Sequence, residues 1–302
     1  MDLFQYYIII GLCICFFIIG SFGNTISIII FTRKEFIKQP TTVYLIVSNI
    51  INIMSVFYLP FMVMPEIWIK LIDGTIGCQI FGGFMIIFGE LQPWVYSICS
   101  LDRCITTMAP LKFSFKNKLK FQLTLVFICI IVLILLCCPF IFYLREYQLD
   151  YANKTVCLFP QSLELNWVIT YFKYQFGLFR TVLPFIITIT ASSFTLYILC
   201  SSKLKLKKND WKKMRREFQF ARTLITMDIL FVLFRIPNTI YTSLHSSVLF
   251  AYDFLYSVLV IVGALHNVLT FIIFIIFNKI YLEIFIELIF RKKTKANVLS
   301  EP

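Results

Sequence analysis

The stretch CSLDRCITTMAPLKF, Cys99 to Phe113, sets an acid–base pair, Asp102–Arg103, at the end of a mostly apolar run long enough to cross a bilayer. Such a pair is either an ordinary contact at a helix end or a moving part. An Arg at a helix C-terminus favours the negative end of the helix dipole and reaches for the interface with its head group. The sequence on either side decides between the two readings.

Of the 302 residues, 59% are hydrophobic and 15% charged. A soluble domain averages about 45–50% apolar and roughly 25% charged. The 34 Phe, with Ile and Leu, fill blocks separated by short polar breaks. These blocks exceed the ~20 residues that cross a ~30 Å hydrocarbon core. The chain reads as an all-α integral membrane protein. Its net charge of +12 sits almost wholly between the apolar blocks, which speaks for membrane topology and anionic lipid head groups and against nucleic acid.

Seven apolar segments follow in order, at about 7–32, 41–64, 78–108, 121–144, 171–200, 218–245 and 250–277. An eighth, at 279–290, repeats Ile280, Ile284, Phe285 and Leu288 at helical spacing opposite Lys279, Glu283 and Glu287. That pattern suits a helix lying in the interface. Twenty-two Lys and Arg fall after segments one, three, five and seven, against four in the alternate loops. The positive-inside rule then puts the N-terminus outside and the tail in the cytoplasm. Asn153-Lys154-Thr155, a glycosylation sequon, lies on the outer side. Cys78 and Cys157 share that side, where an oxidising compartment permits a disulfide.

Metal and enzyme chemistry find little support. There is no CxxC pair at zinc spacing and no HExxH, and two His cannot make a three-His site. No cofactor, metal or catalytic residue is expected, and no enzyme activity. A transporter or channel is the alternative, since it too buries charges in a helical bundle. Transporters often show internal repeats with matching broken helices, and none is found here.

Seven spans, an outer N-terminus, a Cys opening span three and Asp-Arg closing it together resemble the rhodopsin-like G-protein-coupled receptors, with peptide receptors the nearer type. The resemblance covers Gly23 to about Tyr281 and implies one seven-helix domain over 1–302. It is carried by Gly23-Asn24, Asn52, Trp68 and the Cys78-to-Arg103 interval. Pro139, Pro184 and Pro237, with NKIYLEIF at 278–285, complete it. Departures accompany these matches. Cys104 follows Arg103 where the family has Tyr, and Arg235 replaces the usual Trp before Pro237. Thr270, Phe271 and Phe274 stand for the family's Asn, Pro and Tyr, and Ser192 for the Tyr of span five.

The resemblance implies a plasma-membrane receptor that passes an extracellular signal to a heterotrimeric G protein. Asp102 and Arg103 would act in activation, with Glu217 as the acid that locks Arg103 at rest. A Cys78–Cys157 disulfide would tether the outer loop, and Asn153 would carry glycan. Asn24, Asn52, Gln92 and Thr270, with His266 and Asn267, would form a polar core. Met85 stands where amine receptors carry Asp, so an amine ligand is disfavoured. Ala264 stands where photoreceptors carry Lys. A small peptide or anionic small molecule is expected instead. Four ionisable residues lie within the membrane: Glu90, Arg180, Asp228 and Arg235. Such groups are costly there and face a bundle interior or cavity. Glu90 lies 13 residues before Arg103, ~20 Å up the helix. It is expected to pair with Arg180 or Arg235 at a pocket floor, with Met85 nearby. Asp228, seven residues before Arg235, is expected to serve the inner half.

Overall fold

The computed structural model describes residues 3–37, 41–63, 74–108, 118–143, 145–149, 154–158, 170–171, 174–203, 211–244 and 254–290. Without water in a bilayer core, every backbone amide must bond internally, so each apolar block becomes a helix. The spanning helices are α1 (Leu3–Phe31), α2 (Thr42–Val63), α3 (Gly74–Met108), α4 (Lys118–Tyr143), α5, α6 (Trp211–Leu244) and α7 (Phe254–Phe277). The fifth, α5, begins as a π-helical stretch, Gln175–Val182, and continues as the α-helix Leu183–Lys203. A single helical turn, Lys34–Ile37, joins α1 to α2, and α8 (Lys279–Phe290) follows α7. Among the described residues, seven helices are long and apolar enough to cross a membrane. This is a multi-pass membrane protein.

Packing closes the helices into a bundle. The neighbours run α1–α2, α2–α4, α4–α3, α3–α5, α5–α6 and α6–α7, and α7 returns to α1. Helix α3 also touches α2 and α6, which makes it the central post. At 35 residues it is about 52 Å long, well beyond the hydrocarbon thickness, so it can tilt across the bundle. Large side chains such as Ile18, Phe127 and Leu135 point outward, as lipid permits.

Prolines break the hydrogen-bond ladders inside α2 (Pro60), α3 (Pro93) and α6 (Pro237). Pro also removes its own amide donor, so nearby carbonyls look for other partners. Ser97 supplies one. Its hydroxyl lies 2.9 Å from the carbonyl oxygens of both Pro93 and Pro184, and 3.0 Å from Thr188 Oγ1. One small polar side chain thereby fastens α3 to α5.

The loop between α4 and α5 departs from an all-helical reading. Strands β1 (Arg145–Leu149) and β2 (Lys154–Leu158) pair antiparallel, with Glu146 opposite Cys157 and Leu149 opposite Lys154. Both strands touch α3. The all-α class holds for the membrane part, and this hairpin is added to it. Hydropathy reads a loop of this kind only as polar, because the hairpin's order comes from pairing, not from burial in lipid.

At the Arg103 end, α8 docks through Tyr281. Its ring packs with Phe31, Phe36 and Phe274 at centroid distances of 5.4–6.5 Å. Its hydroxyl lies 2.7 Å from Ser27 Oγ of α1. Burial pushes the phenol well above its ordinary range, which keeps the proton available for that bond. Asn278 opens the helix: its Oδ1 accepts from the Tyr281 amide at 3.1 Å.

Candidate functional site

Five helices converge on a cavity with about 460 Å³ of empty space, part of it open to solvent. Ser55 and Tyr58 face it from α2, Phe84, Phe88 and Gly89 from α3, Arg180 from α5, Arg235 and Asn238 from α6, and Ala264 and Asn267 from α7. Tyr58, Phe84 and Phe88 form a stacked wall. Their centroids lie 5.9–6.0 Å apart, and the planes diverge by no more than 23°. The Arg180 guanidinium lies directly over Gly89, where a methyl would push its Nη2 aside.

The structure divides the intramembrane charges as follows. Glu90 is fully buried, on the side of α3 that meets α4 and α5. Its Oε2 accepts from Gln175 Nε2 at 2.9 Å and lies 3.8 Å from Cys137 Sγ, while Oε1 has no hydrogen-bond partner. The positive charge of Arg180 acts on Glu90, and the carboxylate acts back on Arg180. Arg235 stands apart. Its Cζ lies 5.6 Å from the Phe231 ring centroid, and its Nε is buried without a hydrogen-bond partner. The charge that acts on it is that of Arg180, which has the same sign. Asp228 is buried two turns along α6, and its charge reaches Tyr96 and Cys99. Of the two partners expected for Glu90, the structure brings Arg180 near. It adds Gln175 and Cys137, which the sequence reading missed.

Below the cavity lies the polar core, in which the side chains of Asn24, Asn52, Gln92 and Thr270 are linked through Asn52. Asn52 Nδ2 donates to Asn24 Oδ1 at 3.0 Å and to Thr270 Oγ1 at 3.3 Å. Gln92 Nε2 donates to Asn52 Oδ1, and Asn24 Nδ2 to the Asn267 carbonyl at 2.9 Å. His266 is buried nearby, edge-on to Tyr96 and Phe231. These neutral amides tie α1, α2, α3 and α7 together without introducing charge.

At the end of α3, Arg103 is buried, and its Nη2 donates to Thr41 Oγ1 at the start of α2. Asp102 Oδ2 accepts from Gln122 Nε2 of α4 at 3.2 Å. Thr107 Oγ1 bonds back to the Arg103 carbonyl at 2.7 Å. The Arg103 head group therefore lies inside the bundle. Thr41 also escaped the sequence reading, although the Thr pair of QPTTVY marks a helix start and so a source of hydroxyls turned inward.

Cys78 is buried and disulfide-bonded. The side chains of Cys157, Met85 and Glu217 lie outside the described residues, as do Asn153 and Trp68 altogether.

Residues 23–269 match the family of 7 transmembrane receptors (rhodopsin family), most of the chain. The chain belongs to the rhodopsin family of seven-transmembrane receptors. C-C chemokine receptor type 1 of Homo sapiens is 22% identical to this receptor over 240 residues, 78% of this chain and 64% of that protein. The match thus spans less than two thirds of that relative's length. Membership displaces the transporter and channel alternatives and accounts for the seven spans, the Cys at the start of α3 and the Asp-Arg pair at its end.

Proposed function

We propose that this receptor carries an extracellular signal across the plasma membrane to a heterotrimeric G protein, with its N-terminus outside. The observation that supports this best is the state of Arg103. It is drawn into the bundle and bonded to Thr41, where an Arg serving only the interface would extend to lipid and water. An Arg held inward at the end of the central helix can be released, and its release clears space at that end for a partner. Glu217, in the second turn of α6, is the acid assigned to restrain it further. Outside, Cys78 pairs with Cys157 and ties the hairpin to α3, and Asn153 carries glycan.

The ligand enters at the Cys78 end and reaches the cavity that Arg180 and Arg235 line. The chemokine receptor named above supports a polypeptide ligand, and the two guanidinium groups support an acidic group on it. The reading is tested with purified receptor in lipid nanodiscs and a set of heterotrimeric G proteins, by nucleotide exchange. Wild type is expected to accelerate exchange on at least one of them, and Arg103→Ala to lose that acceleration at equal folding. Exchange at the uncatalysed rate with every G protein would overturn it. Peptide mapping of the oxidised protein tests the disulfide, and two free thiols would refute it.

A further inference from the structure

The cavity holds two guanidinium groups, and none of the described residues lining it is acidic. Glu90 is next in sequence to Gly89 but turns to Gln175 and Cys137, and its charge compensates Arg180 from behind. Among the described residues, none gives Arg235 such help. The charge that acts on it is repulsive, its Nε is buried and unpartnered, and the Phe231 ring offers only partial compensation through its π face. Asp228 lies two turns away along α6, about 10 Å. A cation left so within a membrane is expensive unless something completes it. The same cavity is lined by the stacked rings of Tyr58, Phe84 and Phe88, an aromatic wall.

We infer that the cavity selects a carboxylate joined to an aromatic body, with the acid seated on Arg235 and the ring laid against the wall of Tyr58, Phe84 and Phe88. The carboxylate accepts two parallel N–H bonds from the planar guanidinium, a geometry that an ammonium does not match. One surplus positive charge asks for one negative charge, so a monoanion fits better than a phosphate. The chemistry has two natural sources: a free aryl-alkyl acid, and the C-terminal aromatic residue of a peptide. This inference rests on the receptor reading for its meaning, but not for its test.

The test is direct binding to purified receptor in nanodiscs of neutral lipid, read as a saturable rise in unfolding temperature. The probes are 4-phenylbutyrate for the free acid and N-acetyl-phenylalanine for the peptide end, each against its neutral primary amide, at up to about 1 mM. At least one acid is expected to bind, with its amide about ten- to hundredfold weaker. Whichever acid binds more tightly identifies the source. Arg235→Gln is expected to remove the preference for acid over amide, Arg235→Lys to restore part of it, and Arg222→Gln, at the other end of α6, to leave it unchanged. If neither acid binds, or if the preference survives Arg235→Gln, the inference is wrong. If an acid binds through Arg235 but no G protein responds, the site stands and the receptor reading fails.

Discussion

Thr41 and Arg103 show how one hydroxyl can set a resting state. Thr42, its neighbour, bonds the Phe36 carbonyl and shapes the start of α2. Thr41 is left to accept from the Arg103 guanidinium. A hydrogen bond to a charged group contributes about 1.5–3 kcal/mol when fully buried, and near the membrane edge about 1 kcal/mol is reasonable. That bias raises a rare active state about fivefold. Thr41→Val, which keeps the side-chain shape but removes the acceptor, is expected to raise ligand-free nucleotide exchange several-fold, whereas Thr41→Ser leaves it near wild type. Glu217→Gln is expected to act in the same direction if the acid of α6 shares the restraint. Unchanged basal exchange in both, at matched surface expression, would show that Arg103 is held by neither. The sequence marks Arg103 as a candidate because a charge closing an apolar run is conspicuous. It cannot mark Thr41, because a Thr beside a helix start is ordinary and its role depends on which helix faces it.

At the scale of elements, the helix α8 separates what periodicity conveys from what it does not. The alternation of Ile280, Ile284 and Leu288 with Glu283 and Glu287 gives the helix and its interfacial habit. It does not say that Tyr281 is the residue that docks. Tyr281 is fully buried, with its ring among Phe31, Phe36 and Phe274 and its hydroxyl on Ser27. Tyr281→Phe loses one buried hydrogen bond, worth about 1 kcal/mol, and leaves Ser27 its bond to the Gly23 carbonyl. Tyr281→Ala also loses the ring, at about 3–5 kcal/mol. Thermal unfolding in nanodiscs is expected to rank wild type above Tyr281→Phe and both above Tyr281→Ala. Equal stability of all three would mean that α8 is held by lipid alone. The other elements repeat the lesson. Hydropathy delivers the seven spans, although α6 begins at Trp211, well before the apolar segment at 218. The hairpin of β1 and β2 and the π-helical start of α5 leave no such trace, since strand pairing and a shift of backbone register do not alter the apolar pattern.

Across the whole molecule, charge inside the bundle is what burial in lipid makes most consequential. Helical rise places Glu90 ~20 Å above Arg103, and the family resemblance, through Pro184 and Pro237, places Arg180 and Arg235 at the same depth. Neither gives direction around each helix axis, and direction is what separates Glu90 from Arg235. Helix α3 turns Gly89 to the cavity and Glu90 toward α4 and α5, where Gln175 and Cys137 meet it. Among the described residues, Arg180, lying over Gly89, is the cation that serves both sides. Removing one partner of a buried charge pair strands the other, at about 3–5 kcal/mol, whereas replacing both by neutral groups is often close to neutral. Arg180→Gln alone is therefore expected to lower receptor stability, and Glu90→Gln alone to do so less, because Arg180 keeps access to the open cavity. The double variant should recover much of the loss. The coupling between the two sites should be about 1–3 kcal/mol, read from thermal unfolding of the four proteins. Additive losses would show that Glu90 and Arg180 act independently, with Gln175 and Cys137 sufficient to hold the carboxylate.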